Sequence, residues 1–148
     1  MAACGNEPST PVRVLVADPD RFLAGEYADY LVGQGFEVAI AADALECLRL
    51  LREFSPHVLV LEPSLPWGGG DGVVAAIRED PSLGGVSVIV VTSGCDRHVL
   101  YNLASVPMAD YQQKPMNPSR LADRIRRVVE KSRGPRDLRY TSPGETNR

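Results

Sequence analysis

The stretch "HVLVLEPSLP", residues 57–66, decides how the rest of the chain is read. Val58 to Leu61 form an apolar run with no polar break, the pattern of a short strand buried on both faces. Pro63 and Pro66 stop that strand, because proline cannot continue a ladder of backbone hydrogen bonds. Glu62 therefore sits where a buried strand opens into a loop.

Working outward, strand and helix signals alternate five times. "VRVLVA" (12–17) is rich in β-branched residues and reads as a first strand. Asp20 can cap a helix to about Val32, with Leu23, Tyr27 and Leu31 at helical spacing. "FEVAIA" (36–41) is a second strand, and Asp43 caps a helix striped by Leu45, Leu48, Leu50 and Leu51. After the opening stretch, Asp71 is the expected cap of "GVVAAIRED". "VSVIVVT" (86–92) is the strongest strand signal, "CDRHVLYNLAS" (95–105) a fourth helix, and "ADYQQ" (109–113) a weak strand. Asn117 as cap and Pro118 at the first helical position start a last helix over 117–131. Such alternation predicts a parallel sheet covered on both faces. Residues 1–11 and 132–148 lack an apolar period and are expected to be disordered flanks of one domain, 12–131.

Composition narrows the function classes. Residues 1–119 carry 7 Lys+Arg against 15 Asp+Glu, and residues 120–139 carry 8 against 3. An acidic body thus bears a basic C-terminal segment. That segment reads as a solvated helix face with a flexible tail, and without interleaved aromatics nucleic acid is not expected as a partner. Cys4, Cys47 and Cys95 are isolated, so neither a disulfide framework nor a cysteine metal site is indicated. No run is long enough for a membrane span and no signal peptide is visible, so a cytoplasmic protein is expected.

In parallel sheets of this type, functional groups gather at the carboxyl ends of the strands. Those ends carry Asp18 with Asp20, Glu62, Thr92 with Ser93, and Lys114. Acids so close require a cation among them, either a divalent ion or Lys114. Acids, a hydroxyl and an ammonium together suit phosphoryl chemistry.

"VRVLVADPD", "VLVLEPSLP", "VIVVTS" and "ADYQQKPM" occur in order, and together they resemble the receiver domain of two-component response regulators. The resemblance covers about residues 12–130. It implies a flavodoxin-like (βα)5 three-layer sandwich with a parallel five-stranded sheet of order 2-1-3-4-5. It also implies phosphorelay signalling through protein partners, a histidine kinase or a downstream effector, rather than enzyme activity. The expected contact face combines the fourth helix, fifth strand and fifth helix, with no separate output domain. Thr92 and Lys114 match phosphoryl-contact positions, Tyr111 the aromatic switch, and Asp18 the first metal acid.

Two positions depart from the family pattern. Glu62 stands at the phosphoacceptor aspartate position, with about 1.5 Å of added reach. Pro19 stands at the second metal acid, although Asp20 follows it. The expectation is an atypical receiver without normal aspartyl phosphorylation and without a cofactor. Magnesium, if bound by Asp18, Glu62 and Ser64, is expected to bind weakly. Glu62 then reads either as a built-in partial mimic of the phosphorylated aspartate, reaching Lys114 and Thr92, or as a solvated relic. The D-x-D of "VADPD" leaves a second class open, a haloacid-dehalogenase-like phosphohydrolase with Asp18 as nucleophile and Asp20 as general acid.

Overall fold

The computed structural model describes residues 10–94 and 110–141. β1 (Arg13–Ala17), β2 (Glu37–Ala41), β3 (Val58–Leu61), β4 (Ser87–Thr92) and β5 (Asp110–Gln113) form one sheet of order β2-β1-β3-β4-β5. Every neighbouring pair is parallel. The helices among the described residues are α1 (Arg21–Gly33), α2 (Ala44–Glu53), α3 (Gly69–Glu79) and α4 (Pro118–Thr141), with a single 3-10 turn at Pro81–Leu83. The expected helix over 95–105, Cys4 and Cys95 lie outside the described residues.

The apolar runs fill both faces of the sheet, as the unbroken reading of β3 requires. Leu15, Leu59, Leu61, Val88 and Val90 join Cys47 and Leu51 of α2 and Val73, Val74 and Ile77 of α3. The alternate residues Val14, Val16, Val58, Val60, Ile89 and Val91 join Tyr27 and Leu31 of α1 and Leu121 and Ile125 of α4. Each such aliphatic side chain contributes about 1.5–3 kcal/mol by its burial. The α2 stripe is rotated from the expected one. Ala44, Cys47 and Leu51 are buried, while Leu45 points to solvent at 62% exposure.

Local start signals hold where a side chain can reach a free N–H. Asp20 accepts from Leu23 N at 3.0 Å, Asp43 from Glu46 N at 2.8 Å, and Asn117 from Ser119 N at 2.8 Å. Asp71 does not cap α3, which begins two residues earlier, at Gly69. Three successive positive φ angles, at Trp67 (62°), Gly68 (123°) and Gly69 (68°), turn the chain into that helix. Gly70 then passes so close to Pro63 that a Cβ would meet the Pro63 Cα at 2.8 Å. Only glycine fits there, and the helix starts at the glycines rather than at the acid.

α4 also differs from its expected end at residue 131, running on to Thr141. Once a helix is anchored by packing, it adds residues without a new nucleation cost, although Pro135 within this extension has no N–H to donate. Among the described residues, no helix is long and apolar enough to cross a membrane.

Candidate functional site

The sheet register brings the site together. Ala17 pairs with Leu61, and Leu61 with Val90. The ladder continues one step past the strands: Asp18 N donates to Ala41 O, Glu62 N to Ala17 O, and Lys114 N to Thr92 O. Asp18, Glu62, Thr92 and Lys114 thus share one edge. Asp18, Glu62 and Thr92 are buried there, at 3%, 4% and 6% exposure.

Lys114 lies between the two acids. Its Nζ is 2.7 Å from Asp18 Oδ2 and 2.9 Å from Glu62 Oε1. The Thr92 hydroxyl donates to Glu62 Oε2 at 3.2 Å, and the Ser64 backbone N–H reaches the same oxygen at 3.2 Å. The Ser93 N–H donates to Glu62 Oε1 at 3.3 Å. Asp18 Oδ1 accepts from Asp20 N at 2.8 Å. Every carboxylate oxygen of the pair therefore has at least one donor.

This geometry sets the charges. Burial pushes the Glu62 carboxyl up. The Lys114 hydrogen bond, the Ser64 N–H, the Lys114 charge and the Ser93 N–H outweigh it, and Glu62 titrates below its ordinary value. Burial alone would push the Lys114 amine down. Hydrogen bonds and charge from Asp18 and Glu62 reverse that, and Lys114 titrates above its ordinary value. Both groups are ionised at neutral pH.

The other expected residues fall differently. Asp20 is exposed and its carboxylate caps α1, so it does not join the pair. In the phosphohydrolase alternative it would be the general acid, and Asp18 the nucleophile, yet Asp18 is bonded to Lys114. Ser64 contributes its backbone N–H at the loop start. Tyr111, on β5, is half-buried and packs against the core on the α2–α3 side. Ser93 meets Glu62 through its backbone N–H. Among the described residues no group of three or more His, Cys, Asp or Glu side chains is placed to hold a metal. Pro19 offers no ligand, Asp20 is turned away, and the Lys114 ammonium stands where a cation would bridge the acids. As arranged, these residues do not fit an octahedral magnesium ion.

Sequence reading missed Tyr27. It counted Tyr27 as one member of an apolar stripe, whereas the hydroxyl is buried without a hydrogen-bond partner among the described residues. The available signal was its phenol, since a stripe needs only volume.

The sequence profile of the response regulator receiver domain matches residues 14–126. The chain belongs to the response regulator receiver domain family. Receiver domains are signalling modules of two-component systems, and they act with partners such as kinases and effectors. The chain is 34% identical over 115 residues to the DNA-binding response regulator MtrA of Mycobacterium tuberculosis, covering 77% of this chain and 49% of that protein. The same figures hold for MtrA of Mycobacterium leprae. This receiver chain thus spans about half the length of those relatives. Among solved structures, a CheY-like receiver domain protein from Methanospirillum hungatei superposes with a TM-score of 0.77 at 24% identity, over 84% of this chain and 98% of that one. A signal receiver domain from Bermanella marisrubri gives 0.72 at 28% identity, over 81% and 99%.

Proposed function

We propose that this receiver works with its site held in one state by Glu62, and that it signals by binding a protein partner without normal aspartyl phosphorylation. The observation that carries this reading is the 2.9 Å ion pair between Glu62 and Lys114, with Thr92 bonded to the same carboxylate. Thr92 and Lys114 stand at the positions that hold a phosphoryl group in the family pattern. Here one carboxylate engages both. It brings one negative charge where a phosphate brings about two, so the mimicry is partial.

Two further features support the same reading. Glu62 places its carboxylate beyond an aspartate's reach, and a displacement of about 1 Å in attack geometry can cost about a hundredfold in rate. Pro19 and the capping role of Asp20 leave magnesium, if it binds at all, with weak affinity. The partner face of this reading comprises β5 and α4, and the expected helix over 95–105 that would complete it lies outside the described residues. A histidine kinase or a downstream effector is the partner class.

Incubation with acetyl phosphate and magnesium, followed by intact mass measurement, tests it. The expected result is no stable phosphoryl addition. A clear addition that disappears in Glu62→Gln would overturn the proposal.

A further inference from the structure

The exposed faces of two helices carry their charges differently. On α2, Arg49 lies between Glu46 and Glu53, at 3.8 Å and 2.8 Å, so opposite charges alternate along the face. Such alternation suits a helix face that meets only water. On α4, Arg120, Arg124, Arg127 and Lys131 follow one another at spacings of four, three and four residues. With about 3.6 residues per turn, they fall within about 60° of the helix circumference and form a row about 17 Å long. No acid interrupts that row.

Contacts on the two flanks of α4 place the row. Arg124 Nη1 is 3.5 Å from Asp110 Oδ2, so the row lies on the flank that faces β5. Arg126 donates to Gln34 Oε1 at 2.7 Å and to Asp123 Oδ1 at 3.2 Å, so Asp123 lies on the flank that faces the end of α1. Glu130, two turns beyond Asp123, returns to the same flank. Leu121, Ala122 and Ile125 hold the helix to the sheet, and Arg120, Arg127 and Lys131 are exposed. The row does not serve the helix itself. Like charges three or four residues apart repel. Arg120 also stands in the first turn, where the macrodipole disfavours a cation and no acid offsets it.

We propose that this row is a docking surface for an acidic helical segment of a partner protein, with carboxylates repeated at the same spacing. Charge complementarity favours a rod over a plane. A DNA duplex or an anionic membrane presents a broad field of negative charge. That field would also meet Asp123, Glu130 and the acidic body, residues 1–119, with 7 Lys+Arg against 15 Asp+Glu. A single file of carboxylates meets the four cations and avoids the acids of the other flank. The row starts close in sequence to the site: Arg120 follows Lys114 by six residues, with Met116 buried between them. Its use in signalling rests on the reading of β5 and α4 as the partner face; its charge pattern does not.

The probe is a fluorescent helix-forming peptide with glutamates at spacings of four, three and four, titrated with the full chain and read by anisotropy. Saturable binding is expected, weakened by added salt. The variant with Arg120→Gln, Arg127→Gln and Lys131→Gln should bind about tenfold more weakly, since three exposed pairs are removed. The variant with Arg21→Gln, Arg49→Gln and Arg78→Gln loses the same charge elsewhere and should stay within about twofold of the unmodified protein. Equal losses in the two variants, or no saturable binding, overturn the proposal. Tighter binding of a DNA duplex or of phosphatidylglycerol vesicles overturns it as well. A second measurement covers a variant that fails to fold. On the unmodified protein, the peptide should move nitrogen-15 amide resonances within residues 120–131, and movement confined to other residues overturns the proposal. Phosphorylation by acetyl phosphate would refute the Glu62 latch without touching either result.

Discussion

The two ends of the sheet handle charge in opposite ways. At the carboxyl end, charge meets charge: Lys114 bridges buried Asp18 and Glu62. At the amino end, side chains meet backbone. The His57 ring nitrogen Nδ1 accepts from Arg13 N at 2.9 Å. The Arg13 guanidinium donates to Phe54 O at 3.0 Å and Ser55 O at 2.9 Å, where α2 ends and carbonyls lack helical partners. The backbone groups at that end cannot change their charge, although His57, which accepts through a neutral ring nitrogen, can. The carboxyl end holds groups whose protonation or replacement alters their neighbours. One architecture thus provides an end held by side chain to backbone bonds and an end held by paired charges.

The hardest way to break this contrast is Lys114→Met. It leaves two buried carboxylates facing each other without a cation. Breaking a buried pair in this way costs about 3–5 kcal/mol, which urea unfolding at neutral pH should register. Glu62 should then titrate above its present value.

Glu62→Gln should cost less, about 1–3 kcal/mol, because Asp18 still holds Lys114. Its pH dependence sharpens the comparison. The folded pKa of Glu62 is lowered from 4.5, so its contribution is full above the ordinary carboxylate range. That contribution is lost as pH falls through the folded value. The Gln variant should therefore lose part of the acid-side decline in stability. For Lys114 the sign reverses. Its pKa is raised from 10.5, and its contribution is present below that value and lost as pH rises through the folded one. An unchanged acid limb in the Gln variant would mean that Glu62 is solvated rather than paired.

At the amino end, His57→Ala removes one side-chain acceptor from Arg13 N. The expected loss is about 0.5–1.5 kcal/mol, with no change in the titration of Glu62 by carbon-13 NMR. A shift there would show that the two ends communicate. Smallest of all is Arg49→Ala on α2. Its pairs with Glu46 and Glu53 are exposed, and such pairs contribute about 0–1 kcal/mol; thermal unfolding should barely change.

What the sequence could reveal follows from the range of the interactions. The unbroken Val58–Leu61 run and the alternation around it fix a parallel sheet, because burial on both faces is a property of a few adjacent residues. Asp20, Asp43 and Asn117 were readable as caps for the same reason, since each reaches two or three positions along the chain. Asp71 was misread because the deciding contact is between Gly70 and Pro63, across a turn. The position of Glu62 at a strand end was legible from its prolines. Whether it would be bonded or solvated was not, since that depends on Lys114 arriving from the far side of the sheet. The predicament of the Tyr27 hydroxyl was hidden too, as helical periodicity registers its bulk and not its oxygen.

Asp18 and Lys114 are 96 residues apart in the chain. During synthesis the ribosome releases both acids before it has made the lysine. β1 and β3 are available to pair while their terminal carboxylates still lack a counter-ion. β5, at the sheet edge, brings the ammonium last. Sequence-distant contacts are slow to form, because loop closure must precede their reward. The Asp18–Lys114 contact is thus of the sequence-distant kind that closes after local structure rather than before it.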